Sequence, residues 1–177
     1  MSVIVFVLVM VFSKASAGAA NYKLKAAYIY QFTKFTHWPK NAFEDASSSI
    51  RICVLGKNPF EKALESFSSR TSQKRNLQVE YLTSITKLGG CHVVFISKSE
   101  QKELKKILQQ ISHQPVLSVS DINGFAKHGG IIGLMTKKRK VGIEINVNSS
   151  QSAKITLSSK LLEVATLINK KPQVKIP

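Results

Sequence analysis

Residues Cys91–Ser120, CHVVFISKSEQKELKKILQQISHQPVLSVS, read as a strand, a helix and a second strand. Leu104, Ile107, Leu108 and Ile111 recur at helical spacing within Glu100–Ile111, which gives that helix one apolar face. Ser97, Ser99 and Glu100 offer capping groups at its start, where the first backbone N–H groups lack partners. The flanking runs His92–Ser97 and Val116–Ser120 are short and apolar, and Pro115 separates the second from the helix. A strand, a crossover helix and a strand of this length place the two strands parallel in one sheet.

The same alternation extends outward in both directions. Upstream, Ile50–Leu55 reads as a buried strand closed by Gly56, and Asn58-Pro59 opens a predicted helix carrying Phe60, Ala63, Leu64 and Phe67. A basic polar loop, Ser68–Asn76, leads to a strand at Leu77–Leu82. Downstream come a short predicted helix at Asp121–Lys127, a Gly129-Gly130 turn and the strand Ile131–Thr136. The run Lys137-Lys138-Arg139-Lys140 reads as a solvated hairpin turn into Val141–Val147, and Ala153–Ile168 has the spacing of a long last helix. The expectation is a single-domain α/β/α sandwich with a mostly parallel sheet of about six strands. It would end in an antiparallel hairpin and the long final helix.

Lys25–Pro39, KAAYIYQFTKFTHWP, predicts a helix with more aromatics than one buried face needs. Leu24, Ala27, Tyr28, Phe32 and Phe35 form one stripe, and Ala26, Ile29, Tyr30 and Thr33 form a second beside it. Pro39 pushes its predecessor out of the helical region, so the helix should stop near Trp38. Either both faces are core or one of them meets a partner.

Before this helix, Val3–Phe12 is an uninterrupted apolar run, followed by Lys14 and Ala15-Ser16-Ala17. Such a run is too short for a bilayer core of about 30 Å, which needs roughly 20 residues. It fits the apolar region of a secretory signal peptide spanning 1–17, cut after Ala17 or, as a second choice, after Ala20, although no Lys or Arg stands ahead of it. The chain of 177 residues has a formal charge of +16, and +15 without residues 1–17. That balance draws it to acidic surfaces. The basic residues are spread along the chain rather than clustered with stacking aromatics, which argues against nucleic acid. Residues 171–177 read as a flexible basic tail after a domain over 18–170.

The two cysteines, Cys53 and Cys91, lie at or just before predicted strands. An even count in an exported chain favours a disulfide. The four histidines lack metal-ligand spacing and there is no C-x-x-C, so metal and thiol chemistry find no support. Phosphate-binding glycine patterns and the G-x-S-x-G elbow are also missing. Asp121 and Glu144 stand alone as acids beside strand ends. The reading is no enzyme and no cofactor.

Taken in order, KAAYIYQFTKFTHWP, IRICVLG with NPF after it, GCHVVFIS, PVLSVSD, GFAKHGGIIGL, VGIEINV and LSSKLLEVATLI resemble the YfiR family of bacterial periplasmic proteins. The resemblance covers nearly all of residues 25–168. It implies an α/β sandwich that forms dimers. It further implies a periplasmic repressor of an inner-membrane diguanylate cyclase, sequestered by an outer-membrane lipoprotein, so that cyclic di-GMP and biofilm formation respond. By position, Cys53 and Cys91 match the family's core disulfide, while the second bridge of some members has no cysteines here. Other members sit beside sensors such as histidine kinases.

The expected partner surface joins Phe35, Trp38 and Pro39 at the helix exit to Lys140, Glu144 and Asn146 of the last strand. An alternative is a small-ligand module that reports occupancy to a membrane sensor kinase, with its pocket at strand ends near Ser120, Asp121 and Asn146.

Overall fold

The structure, a computed structural model, describes residues 13–137 and 140–168. The apolar run Val3–Phe12, the two central residues of the basic turn and the basic tail lie outside the described residues. The first element is α1 (Ser13–Phe35), followed by the two-residue strand β1 (Thr36–His37). The main sheet is built from β2 (Ile50–Leu55), β3 (Thr71–Ser72), β4 (Arg75–Leu82), β5 (Val93–Ile96), β6 (Leu117–Ser120), β7 (Ile132–Lys137), β8 (Lys140–Asn146) and β10 (Thr166–Ile168). Between them lie α2 (Leu104–Ile111), α3 (Val147–Ser152), β9 (Thr156–Leu157) and α4 (Ser159–Glu163). The sheet order is β10-β8-β7-β6-β5-β2-β4-β3, and β1 pairs with β9 apart from it. β4, β2, β5, β6 and β7 run parallel; β8 turns back antiparallel to β7, and β10 is parallel to β8.

Successive residues of the central strands point to opposite faces. Ile52, Val54, Val93 and Phe95 pack with Ala26, Ile29 and Phe32 of α1. Cys53, Leu55, Val94 and Ile96 pack with Leu104, Ile107, Leu108 and Ile111 of α2. Each buried side chain of this size stabilises by roughly 1.5–3 kcal/mol. That contact holds an eight-residue helix that would be marginal alone.

Eight strands replace the expected six, because Thr71–Ser72 and Thr166–Ile168 add an edge strand at each side. The long final helix does not form. Lys154 adopts φ 56 and ends α3, Thr156–Leu157 pairs with Thr36–His37, and only Ser159–Glu163 is helical. Thr166–Ile168 then fills the open edge of β8. Ile155, Thr156, Val164, Thr166 and Ile168 are β-branched and stiff at χ1, so the edge pairing prevails over apolar spacing that a helix would also satisfy.

Two further expected helices are turns. In 58–64, Asn58 accepts from the Phe60 N–H and donates to the Glu61 carbonyl, with Glu61 at φ 54. This local pairing competes with a helix, and only the short 3₁₀ turn Glu65–Phe67 remains. In 121–127, Gly124 at φ +69 breaks the helical path.

Candidate functional site

The two stripes of α1 have different fates. Ala26, Ile29, Tyr30 and Thr33 are buried, so the second stripe is the core face. In the first stripe only Phe32 is buried; Tyr28 and Phe35 are half-buried and Leu24 is 43% exposed. α4 touches α1, and Val164, one residue past α4, is 70% exposed. The outer side of α1 therefore carries an apolar strip that is partly uncovered among the described residues.

The helix leaves this strip three residues earlier than Pro39 alone requires. Gln73 donates through Nε2 to the carbonyls of Thr33 (2.6 Å) and Thr36 (2.7 Å), satisfying backbone acceptors that the end of a helix leaves open. Trp38 and Pro39 are then half-buried over the amino ends of the strands. The Trp38 indole N–H donates to the His92 carbonyl at 3.2 Å, and its ring meets Phe43 edge-on at 6.1 Å. Phe43 stacks on His92 at 4.2 Å, and the Arg75 guanidinium lies 3.8 Å from the Phe43 ring centre. Trp38 thus caps one end of the core while keeping part of its ring in solvent.

His92 sets a pH dependence at this end. Its Nε2–H donates to the Ala42 carbonyl at 3.0 Å, and its Nδ1 accepts from the Arg51 N–H at 3.1 Å. Burial, with Arg51 and Arg75 nearby, pushes the imidazole below its ordinary value, against the opposing Ala42 bond. A depressed pKa means the unfolded chain binds this proton first. Stability should hold above about pH 6.5 and fall as the pH drops below it, with a limiting slope of about 1.4 kcal/mol per pH unit. Urea titrations between pH 7.5 and 5 should show a fall no steeper than this, and His92→Gln should flatten it.

Lys140, Glu144 and Asn146 are spread along the length of β8. Lys140 opens β8 at the end of the sheet opposite Asn146. Asn146 is 2% exposed, and its side chain is engaged internally: Nδ2 donates to the Ala126 carbonyl at 2.8 Å, and Oδ1 accepts from the Ser149 N–H at 3.0 Å to cap α3. Glu144 is half-buried on β8, opposite Gly133 of β7 and Thr166 of β10.

Ser120 and Asp121 stand at the carboxyl end of β6, and both are buried. Ser120 Oγ donates to the Ile96 carbonyl and accepts from the Ile122 N–H. Asp121 Oδ2 takes an ion pair from Lys25 at 2.6 Å and a hydrogen bond from the Tyr22 hydroxyl at 2.8 Å, with Lys98 Nζ at 3.6 Å. The Lys25 and Asp121 side chains are 3% and 2% exposed. Burial, with the Asp121 carboxylate beside it, raises the Tyr22 phenol far above its usual range. The arrangement can lock α1 to the sheet. Among the described residues no group of three His, Cys, Asp or Glu could hold a metal ion.

Cys53, inside β2, and Cys91, two residues before β5, form a disulfide with Cα atoms 6.0 Å apart. A family model described as YfiR/HmsC-like matches residues 22–166. The chain belongs to the YfiR/HmsC-like family. No curated protein matches the chain. Among the described residues no helix is long and apolar enough to cross a membrane.

Two of the meetings described above tie YfiR-like segments together across the fold. The bridge joins IRICVLG to GCHVVFIS, and the buried ion pair joins the first residue of KAAYIYQFTKFTHWP to the last of PVLSVSD. Sequence reasoning singled out Asp121 and passed over Lys25. A lysine next to alanines on a predicted helix reads as solvated, and its partner is 96 positions away. Lys25 falls one residue before Ala26 on the core face, which was the one available signal.

Proposed function

We propose that this protein is exported to the periplasm and acts there by contact rather than catalysis. In this reading it binds the periplasmic part of an inner-membrane signalling protein, a diguanylate cyclase, and restrains it. The family assignment over residues 22–166 carries the reading. The Cys53–Cys91 bridge supports it, because disulfides persist in oxidising compartments. So does the partly uncovered strip Leu24–Tyr28–Phe35, since half-exposed aromatics at a helix surface give a partner large contact area. Trp38 and Pro39, half-buried past the helix exit, would add to that contact surface, and a second copy of the chain would be a further occupant. Restraint needs only that one conformer of the receptor be bound better: a difference of about 1.4 kcal/mol moves the balance tenfold.

The test is made in the source cell. Deleting the gene should raise cellular cyclic di-GMP several-fold, and a copy carrying residues 1–17 should restore it. A copy lacking that leader should fail to. Leu24→Asp with Tyr28→Asp should fold, by its thermal melt, yet fail to restore. Unchanged cyclic di-GMP on deletion would overturn the cyclase assignment, and full activity of the leaderless copy would overturn the location.

A further inference from the structure

A cleft of about 510 Å³ opens on the α2 side of the sheet, at the amino ends of β6 and β7 and against α3. This is the opposite end of β6 from Asp121. Open α/β sheets ordinarily take ligands beyond the carboxyl ends of their strands; here Lys25 and Tyr22 hold Asp121 at that end of β6.

The chemistry of the cleft is divided. Its floor is apolar and buried, formed by Leu108, Ile111, Val116, Ile131 and Ala153. Its walls are hydroxyls, amides, imidazoles and one ammonium, and none of the sixteen lining residues is acidic. Ser118, 2% exposed, accepts the Ile131 N–H through Oγ at 2.9 Å. A hydroxyl that accepts still has its own hydrogen to give. Lys105 makes no ion pair among the described residues. Past Lys105 and His128 a second opening of about 410 Å³ continues along α2, with Lys102 and Asn123 on its walls and again no carboxylate. Lys105 therefore lines both openings and stands where they meet.

We propose that this groove binds a small amphipathic organic anion. Its apolar body lies on the Leu108–Val116–Ile131 floor and its single carboxylate reaches Lys105. A cleft of this size falls within the usual range for small-ligand sites, roughly 300–1,000 Å³, and suits an apolar body of about six to ten carbon atoms. The proposal concerns this chain alone, so it succeeds or fails independently of any membrane receptor.

Isothermal titration of the full chain at neutral pH with 3-phenylpropionate, against its uncharged amide 3-phenylpropionamide, tests it. The acid should bind saturably and the amide at least about tenfold more weakly, the value of one charge-assisted contact. Lys105→Met should weaken the acid by about the same factor. Ser152→Trp, at an exposed position on the wall, should fill the cleft and abolish binding while leaving the melting temperature unchanged. Absence of binding at millimolar acid, equal affinity for the amide, or binding indifferent to both substitutions would overturn the proposal.

Discussion

Asp121→Ala should lower the unfolding free energy by about 3–5 kcal/mol, the usual result of stranding one charge of a buried pair. Lys25 would be left 3% exposed with its counter-ion gone, and the Tyr22 hydroxyl would lose its acceptor. Among the described residues, the other charge paired with Asp121, Lys98, has the same sign as Lys25. Water cannot readily replace the carboxylate while α1 stays docked, so the chain must either keep an unpaired ammonium in the core or lift the helix. Either response is costly against a total of about 5–15 kcal/mol. Asp121→Asn separates the contributions, because it keeps an acceptor for Tyr22 and removes the charge. It should fall between wild type and Asp121→Ala. The double change Lys25→Met with Asp121→Leu should recover most of the loss, since an apolar pair of similar volume removes both desolvation costs. Urea unfolding of the four proteins decides the matter. A loss below about 1 kcal/mol for Asp121→Ala would put the pair in the class of surface ion pairs.

The parts of this fold that could be read from the chain are those whose pattern is local. Leu104, Ile107, Leu108 and Ile111 announce α2 because helical spacing leaves no other way to bury four apolar residues at once. The runs at Ile50 and Val93 announce strands covered on both faces, and the cores on the two sides of the sheet bear this out. What could not be read depends on partners distant in sequence. Thr71–Ser72 and Thr166–Ile168 are too short to carry a period, and only the open edges of β4 and β8 make strands of them. Leu157, Leu161, Leu162, Ala165 and Ile168 do have helical spacing, yet pairing with β1 and β8 divides them. The candidate site shows the same split. Trp38 and the aromatic stripe are visible as excess apolarity on one helix. Asn146 looks like a surface amide until the Ala126 carbonyl and the α3 amino end are placed around it.

Opening the Cys53–Cys91 bridge should cost about 4 kcal/mol by the chain-entropy relation, given a separation of 38 residues. The closed loop contains all of β4 and the turn that brings Gln73 to the end of α1. Freeing that loop in the unfolded chain therefore acts on the segment that caps the aromatic helix. Both cysteines are buried in the cluster beneath α2, so the substitution used to open the bridge matters. Cys53→Ala with Cys91→Ala keeps the site apolar, and its loss should match that of the reduced wild type to within about 1 kcal/mol, an allowance for small cavity effects. Paired serines would bury two hydroxyls without assured partners, and should lose about 1–3 kcal/mol more for each one left unsatisfied. Urea unfolding of oxidised, reduced and double-alanine protein at one pH makes the comparison. A loss under about 1 kcal/mol on reduction would mean that the unfolded chain is already compact enough for the crosslink to remove little entropy. In the expected case a reduced chain starting near the lower end of the usual 5–15 kcal/mol would be left with little net stability. The Trp38–Phe43–His92 cap, whose His92 follows Cys91 in sequence, would then open along with the rest of the fold.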